Sequence, residues 1–253
     1  MKKNLDKSTV DSFGDEWGRF NQMNLPDEEA EAIFNQYFSI FPWNSLPENP
    51  EGFDLGCGSG RWAKIAASQV GHLHCIDPSE AIEVAKVSLS SFSNISFYKK
   101  SVDEFSLPKG SQDFGYSLGV LHHIPDTLAA LKECVSLLKP GAPFLLYLYY
   151  ALDDKSYFYK VLWKCSDFFR KIICKMPPSL KHIVTDLIAI IIYFPLAKLS
   201  LVLEKLNITV SGVPLSFYRN CSFYTMRTDS RDRFGTPLEQ RFTKEEIYNL
   251  MID

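Results

Sequence analysis

Phe53–Arg61 reads FDLGCGSGR, three glycines in five positions directly after a short apolar run. Glycine takes backbone angles closed to other residues and puts no side chain between chain and ligand. Gly56, Gly58 and Gly60 therefore predict a turn on which a nucleotide can lie against bare backbone. The following RWAKIAASQV reads as a helix whose free N–H groups and positive dipole end face the same spot, and Asp54 ends the preceding strand. A plain strand-to-helix turn has the same pattern, so the next segment matters. His72–Pro78, HLHCIDP, is a second short strand ending in Asp77, twenty-one positions after Gly56. That is where a doubly wound sheet sets a carboxylate against a ribose diol.

Three more segments follow in order: SVDEFSLP with Asp103, DFGYSLGVLHHIPD, and LKPGAPFLLYLYY. Over about residues 50–150 the series resembles the class I S-adenosylmethionine-dependent methyltransferases (type 11 domain), in the small-molecule branch with the ubiquinone and menaquinone methyltransferases. DLGCGSG resembles their glycine-rich first motif, and Asp77 matches the acid that holds the ribose hydroxyls. The resemblance implies S-adenosyl-L-methionine as cofactor, S-adenosyl-L-homocysteine as product, and a site built from Asp54, Gly56, Cys57, Gly58, Gly60, Asp77, Pro78, Val102, Asp103, Leu118 and Gly119. Within it, the Asp103 carboxylate or Val102 N–H reads the adenine edge, and Leu118 and Gly119 offer carbonyls to the methionine ammonium. From the residues alone, Asp103 is equally a solvated turn residue or helix cap. An NAD-dependent oxidoreductase is the rival reading, but its fingerprint is G-x-G-x-x-G, and glycines at 56, 58 and 60 favour S-adenosylmethionine. A non-catalytic S-adenosylmethionine-binding protein is the other.

The whole chain sets bounds. Its 253 residues, 46% hydrophobic and 14% aromatic, suffice for one domain with an insertion. A net charge of −3 gives no broad basic face for a nucleic acid. The six cysteines show no C-x-x-C pairing and read as reduced and buried, and MKKNLDKSTVDSFGDEW lacks the apolar core of a secretory signal, so the expected compartment is the cytoplasm.

Short apolar runs alternate with helical segments from residue 52, which predicts an α/β, Rossmann-like, mainly parallel sheet with helices on both faces. Strands are expected near 52–55, 72–77, 94–100, 113–120 and 143–150. Ser79 reads as the N-cap of a helix to about Phe92, and Asp126 as that of DTLAALKECVSLL. Four segments result: a helical lid at 1–50, the cofactor-binding core at 51–150, a helical insertion and substrate-side cap at 151–242, and the start of a core helix at 243–253. Residues 1–12 are polar and read as loose. Phe13, Trp17 and Phe20 recur at i, i+4 and i+7, a face that either caps the sheet or closes over the cofactor with Trp17.

His122 and His123 follow the fourth strand, as loop histidines or with His122 as a general base near the transferred methyl. The Asn/Asp-Pro-Pro-aromatic pattern of amino-directed relatives does not occur, so oxygen or carbon is the favoured acceptor, on a small or lipid-like molecule. SFYRNCSFYTMRTDSRDRFGTPLEQRF reads either as a solvated loop whose arginines pair with Asp229, Asp232 and Glu239, or as an acceptor pocket using Tyr218, Arg219, Tyr224 and Arg227.

Residues 156–206 contain two helices rich in apolar and aromatic side chains. The uncharged run Leu187–Ala197 is eleven residues against the ~20 that span a bilayer, so it reads as too short to cross. What remains is a buried helical cap or homodimer contact, or peripheral contact with a membrane through apolar positions flanked by lysines. Thr243 and Glu246 form a capping box that opens the last helix. With five strands assigned of the seven the resembled fold has, the sheet is expected to be truncated, or its edge filled by 221–227.

Overall fold

The computed structural model describes residues 3–210 and 212–252. The outermost ends of the first and last expected segments, and Ser211, lie outside them. Five strands form one parallel sheet: β1 Glu51–Leu55, β2 His72–Ile76, β3 Ile95–Tyr98, β4 Phe114–Leu118 and β5 Phe144–Tyr147, in the order β3-β2-β1-β4-β5. All five fall where the apolar runs placed them, and the order reverses between β1 and β4. The carboxyl ends on either side of that switch point face a common crevice. β1 and β4 lock by exchange of rings and glycines: Gly52 pairs with Phe114 and Phe53 with Gly115, and a Cβ on either glycine would lie 2.4 Å from the facing ring.

The core helices are α3 Ala63–Ala66, α4 Ala81–Ser88 and α5 Thr127–Leu137. The helix expected over RWAKIAASQV is only these four residues of α3 and a 3₁₀ turn to Gln69. The turn before it therefore relies on its own amides, not on a long dipole. Asp126 caps α5 by accepting from the Ala129 amide, as its sequence implied. Helices α1 Lys7–Arg19 and α2 Asp27–Tyr37 precede the sheet. α1 begins inside the stretch expected to be loose, because Asp6 caps it and Asn4 is tied to Asp103 and Asp126.

After β5 come α6 Tyr157–Ile173, α7 Pro178–Ile188, a π-turn at Ala189–Tyr193, α8 Phe194–Lys205 and α9 Phe223–Gly235. Residues 221–227 thus form a loop and the start of α9, not a sheet edge. Instead Tyr150 and Phe242 make an isolated parallel bridge beside β5. The capping box is present: the Thr243 amide donates to Glu246 and the Glu246 amide to Thr243 Oγ1, opening α10 Lys244–Ile252, whose Ile247 and Leu250 pack on the core. Cys165 is exposed and Cys221 only half-buried, in contrast to the expected burial of all six cysteines.

The estimate of length for the apolar run also needs correcting. Pro178–Lys205 is one continuous 28-residue helix, long and apolar enough by length and composition to cross a membrane. Counting between charges stopped at Asp186 and Lys198, but the helix runs through both: Asp186 turns inward onto Arg19 and Arg227, as Lys181 does onto Ser12 and Gly235, while Lys198 stays exposed. Pro195 lies inside this helix immediately after the π-turn Ala189–Tyr193, the kind of local adjustment by which a helix accommodates a proline.

Candidate active site

The site starts at the glycine turn. Gly56, Gly58 and Gly60 all have positive φ (78°, 54° and 83°). Their roles differ. The Gly56 amide donates to Ile76 O of the neighbouring strand, pinning the turn across the switch point. The Gly58 amide donates to Asp77 Oδ2 at 3.0 Å, and a Cβ there would press on the Trp17 indole at 3.1 Å, so the backbone lies bare beneath that ring. Gly60 faces away from the crevice, with Leu89 2.7 Å from where its Cβ would be, and serves helix packing.

Asp77 is buried and lines the crevice. Its Oδ1 accepts from the Ser79 amide and hydroxyl, and its Oδ2 from Gly58. A carboxylate offers about four acceptor positions, so one stays open on Oδ2 toward the crevice. Ser59 Oγ, buried beside it, has no partner. Leu118, Gly119 (φ 77°, open space where a Cβ would point), Pro78 and Val102 line the same wall. Asp103 does not: it is exposed and accepts from Ser101 and the Asn4 amide.

Asp54 lies beneath the turn, out of the crevice, with Oδ2 unpartnered. Burial lifts its pKa to about 8, against the pull of Tyr116. The folded protein then keeps a proton that the unfolded chain, with a carboxyl pKa of ~3.9, has released. Between these values the native state binds more protons, so stability falls as pH rises from about 4 to about 8 and levels off above. Asp54→Asn stays neutral. Its urea midpoint should therefore fall less between pH 5 and 8 than that of the unaltered protein; equal slopes would contradict a protonated Asp54.

A cavity of about 1430 Å³ runs from this cradle under the N-terminal helices and into the space among α6, α8 and α9. Drug-sized ligand pockets are about 300–1,000 Å³, so there is room for a second molecule beside a nucleotide. Phe13 and Trp17 of α1 roof it, and Arg61 sits over the Trp17 and Trp62 rings at 5.3 and 4.8 Å. The floor beyond the sheet is polar. Thr225, Thr228, Asp229 and Asp232, at i, i+3, i+4 and i+7 along α9, all face the cavity. Tyr218 donates to Asp229 Oδ2 at 2.9 Å and Tyr149 to Asp232 Oδ2 at 2.7 Å. Burial raises the Asp229 pKa to about 6, with Arg61 and Tyr218 opposing.

Of the residues expected at the acceptor, Trp17, His123 and Tyr218 line the cavity. The others do other work. Arg219 pairs with Glu204, Arg227 with Asp186, and the Tyr224 hydroxyl accepts from the Gln22 amide. His122 is fully buried off the cavity, its ring 3.8 Å from that of Tyr149, with neither nitrogen hydrogen-bonded and burial holding it neutral. It is not placed to take a proton from an acceptor. Asp229 and Asp232 were expected only as ion-pair partners of the loop arginines, but they accept from Tyr218 and Tyr149 instead, and their i, i+3 spacing on one helix face was there to be read.

The fold is a Rossmann-like parallel sheet whose crevice lies at the switch point between β1 and β4. Residues 53–146 match the family model described as methyltransferase domain. Among curated proteins, the chain is similar to the ubiquinone biosynthesis O-methyltransferase of Xanthomonas axonopodis pv. citri (27% identical over 146 residues, 56% of this chain and 61% of that one). It is also similar to that of Xanthomonas campestris pv. campestris (34% over 96 residues, 37% and 40%). The chain thus spans about half the length of the curated relatives it matches. A solved S-adenosylmethionine-dependent methyltransferase from Aquifex aeolicus is similar at 19% identity, with TM-score 0.44, over 55% of this chain and 76% of that one.

Proposed function

We propose that the chain transfers a methyl group from S-adenosylmethionine to an oxygen of a small, lipid-like acceptor. The observation that carries this is the single cavity that joins the glycine cradle and Asp77 to an apolar space beyond α9. The sulfonium, when bound, supplies an already activated methyl group, so the protein's main tasks are to align the acceptor and exclude water. The open position on Asp77 Oδ2 suits a ribose hydroxyl, and the bare backbone at Gly119, with open space where a Cβ would point, suits close approach of the donor. Phe13 and Trp17 shut out solvent from above.

Asp229 is proposed as the acceptor's proton acceptor in place of His122. It is half-buried, faces the cavity, and with a pKa of about 6 is a carboxylate at neutral pH, close to the operating range in which a general base works best. A base of this kind serves a hydroxyl better than an unactivated carbon, and the relatives' name, O-methyltransferase, agrees. The free cysteines suit a reducing compartment, the cytoplasm.

The test is incubation of the purified chain with methyl-labelled S-adenosylmethionine and a fractionated lipid extract. Label moving into the organic phase supports the reading. Tight binding of S-adenosylhomocysteine without transfer to any fraction would instead leave a non-catalytic cofactor-binding protein.

A further inference from the structure

Two helices after β5, α6 and α7–α8, turn many large apolar side chains outward, although their inner sides also pack Ile173, Tyr193 and Ala197 into a small core. On α6, Phe158, Val161, Leu162, Phe168, Phe169 and Ile172 recur at helical spacing and are all exposed. The opposite face buries Asp167 and Arg170, whose guanidinium donates to the carbonyls of Thr236 and Pro237. The long α7–α8 helix repeats the pattern. Leu180, Ile183, Leu187, Ile190, Ile191 and Phe194 face outward, with Ile191 67% exposed, while Lys181, Thr185 and Ser200 face inward. Only 22% of its most apolar window is buried. An apolar patch of this extent marks a surface that meets something other than water.

We infer that α6 and α7–α8 form a face that docks in the interfacial layer of an anionic lipid bilayer. This inference does not depend on methyl transfer. Charge identifies the partner. Residues 156–206 carry eight Lys or Arg against three Asp or Glu, a net +5 in a chain of net −3. Lys164, Lys171, Lys175, Lys198 and Lys205 are exposed around the apolar stripes. A second copy of the chain would bring these lysines against one another, because a two-fold interface is self-complementary. Anionic headgroups neutralise them, each lysine strengthening attachment about fivefold. Embedding in the plane, not spanning, follows from the inner faces: crossing would strip Lys181 and Asp186 from α1 and α9 and strand them in hydrocarbon.

The cavity opens on the same face. Leu162, Phe169, Ile192 and Phe217 are exposed and also line it, so the mouth of the apolar space lies within the docking surface. A hydrocarbon-tailed molecule can pass from bilayer to cavity without crossing water.

Flotation of the full chain with vesicles tests this, using phosphatidylcholine alone and phosphatidylcholine with phosphatidylglycerol. The expected result is flotation with the anionic vesicles and at least tenfold less with the neutral ones. Phe168→Asp with Ile191→Asp, both at exposed positions, should abolish flotation while leaving the far-ultraviolet circular dichroism and melting temperature unchanged. Two results would overturn the proposal: an unaltered protein that stays at the bottom with both vesicles, or one that sediments as a dimer and becomes a non-floating monomer in the double variant. In the second case the face is an interface between copies.

Discussion

Asp229→Asn should lower the rate of methyl transfer by about 10²- to 10⁴-fold, the usual contribution of a positioned general base. Its signature is in the pH profile. With its pKa near 6, Asp229 becomes protonated below that pH, so kcat/KM of the unaltered protein should fall as pH drops through about 6. The amide cannot titrate, and the variant should lose this acid limb as well as the rate. Tyr218 offers a control. Its hydroxyl donates to Asp229, so Tyr218→Phe removes a bond that favours the carboxylate and should shift the limb upward without removing it. His122→Asn should leave the limb in place, since the ring does not reach the cavity. An Asp229→Asn variant of unaltered rate and profile would move the base elsewhere.

The packing of α9 turns one stripe of it toward the cavity. The helix is polar on nearly every face, FYTMRTDSRDRFG, yet Arg231 within it is wholly buried. It is held by α1 through Arg231 to Asp15, by α7 through Arg227 to Asp186, and by Arg233 to Glu239. With ion pairs holding its other sides, the stripe Thr225–Asp232 is free to face the cavity. Such a helix has no amphipathic signature of its own. Its partners lie up to some two hundred positions away, as in the pairing of Asp15 with Arg231, so the sequence left it as a loop with ion pairs. Of the expected acidic partners only Glu239 pairs with arginines, Arg233 and Arg241, and the helix itself was not legible.

The parallel sheet was legible because its signals are local. Each strand is a short apolar run, and the glycine turn, the Asp126 cap and the Thr243–Glu246 box each act within a few residues. Placed by those same local signals, Gly56, Gly58, Asp77, Pro78, Leu118 and Gly119 all line the crevice at the switch point. Asp103 failed because its choice between turn and ligand rests on Asn4, ninety-nine residues away. The acceptor side lay in an insertion whose helices invert the usual rule. Apolar periodicity correctly showed that α6 and α7–α8 are helices, but it placed their apolar faces inward or at a partner with equal ease. Only the observed burial of Asp167, Arg170 and Lys181 decides which side meets the protein.

Asp77→Ala should weaken S-adenosylhomocysteine binding by roughly ten- to a hundredfold, the loss of about 1.5–3 kcal/mol in one charge-assisted bond to the ribose. The same carboxylate also accepts from Gly58 and Ser79, so the variant loses an anchor of the glycine turn together with the ligand contact. Isothermal titration of S-adenosylhomocysteine into the unaltered chain and into Asp77→Ala therefore tests the central claim most directly. The account predicts saturable binding to the first, weakened by that factor in the second, with no binding of NAD to either. Absence of S-adenosylhomocysteine binding to the folded, unaltered chain, or equal affinity in both proteins, would contradict it.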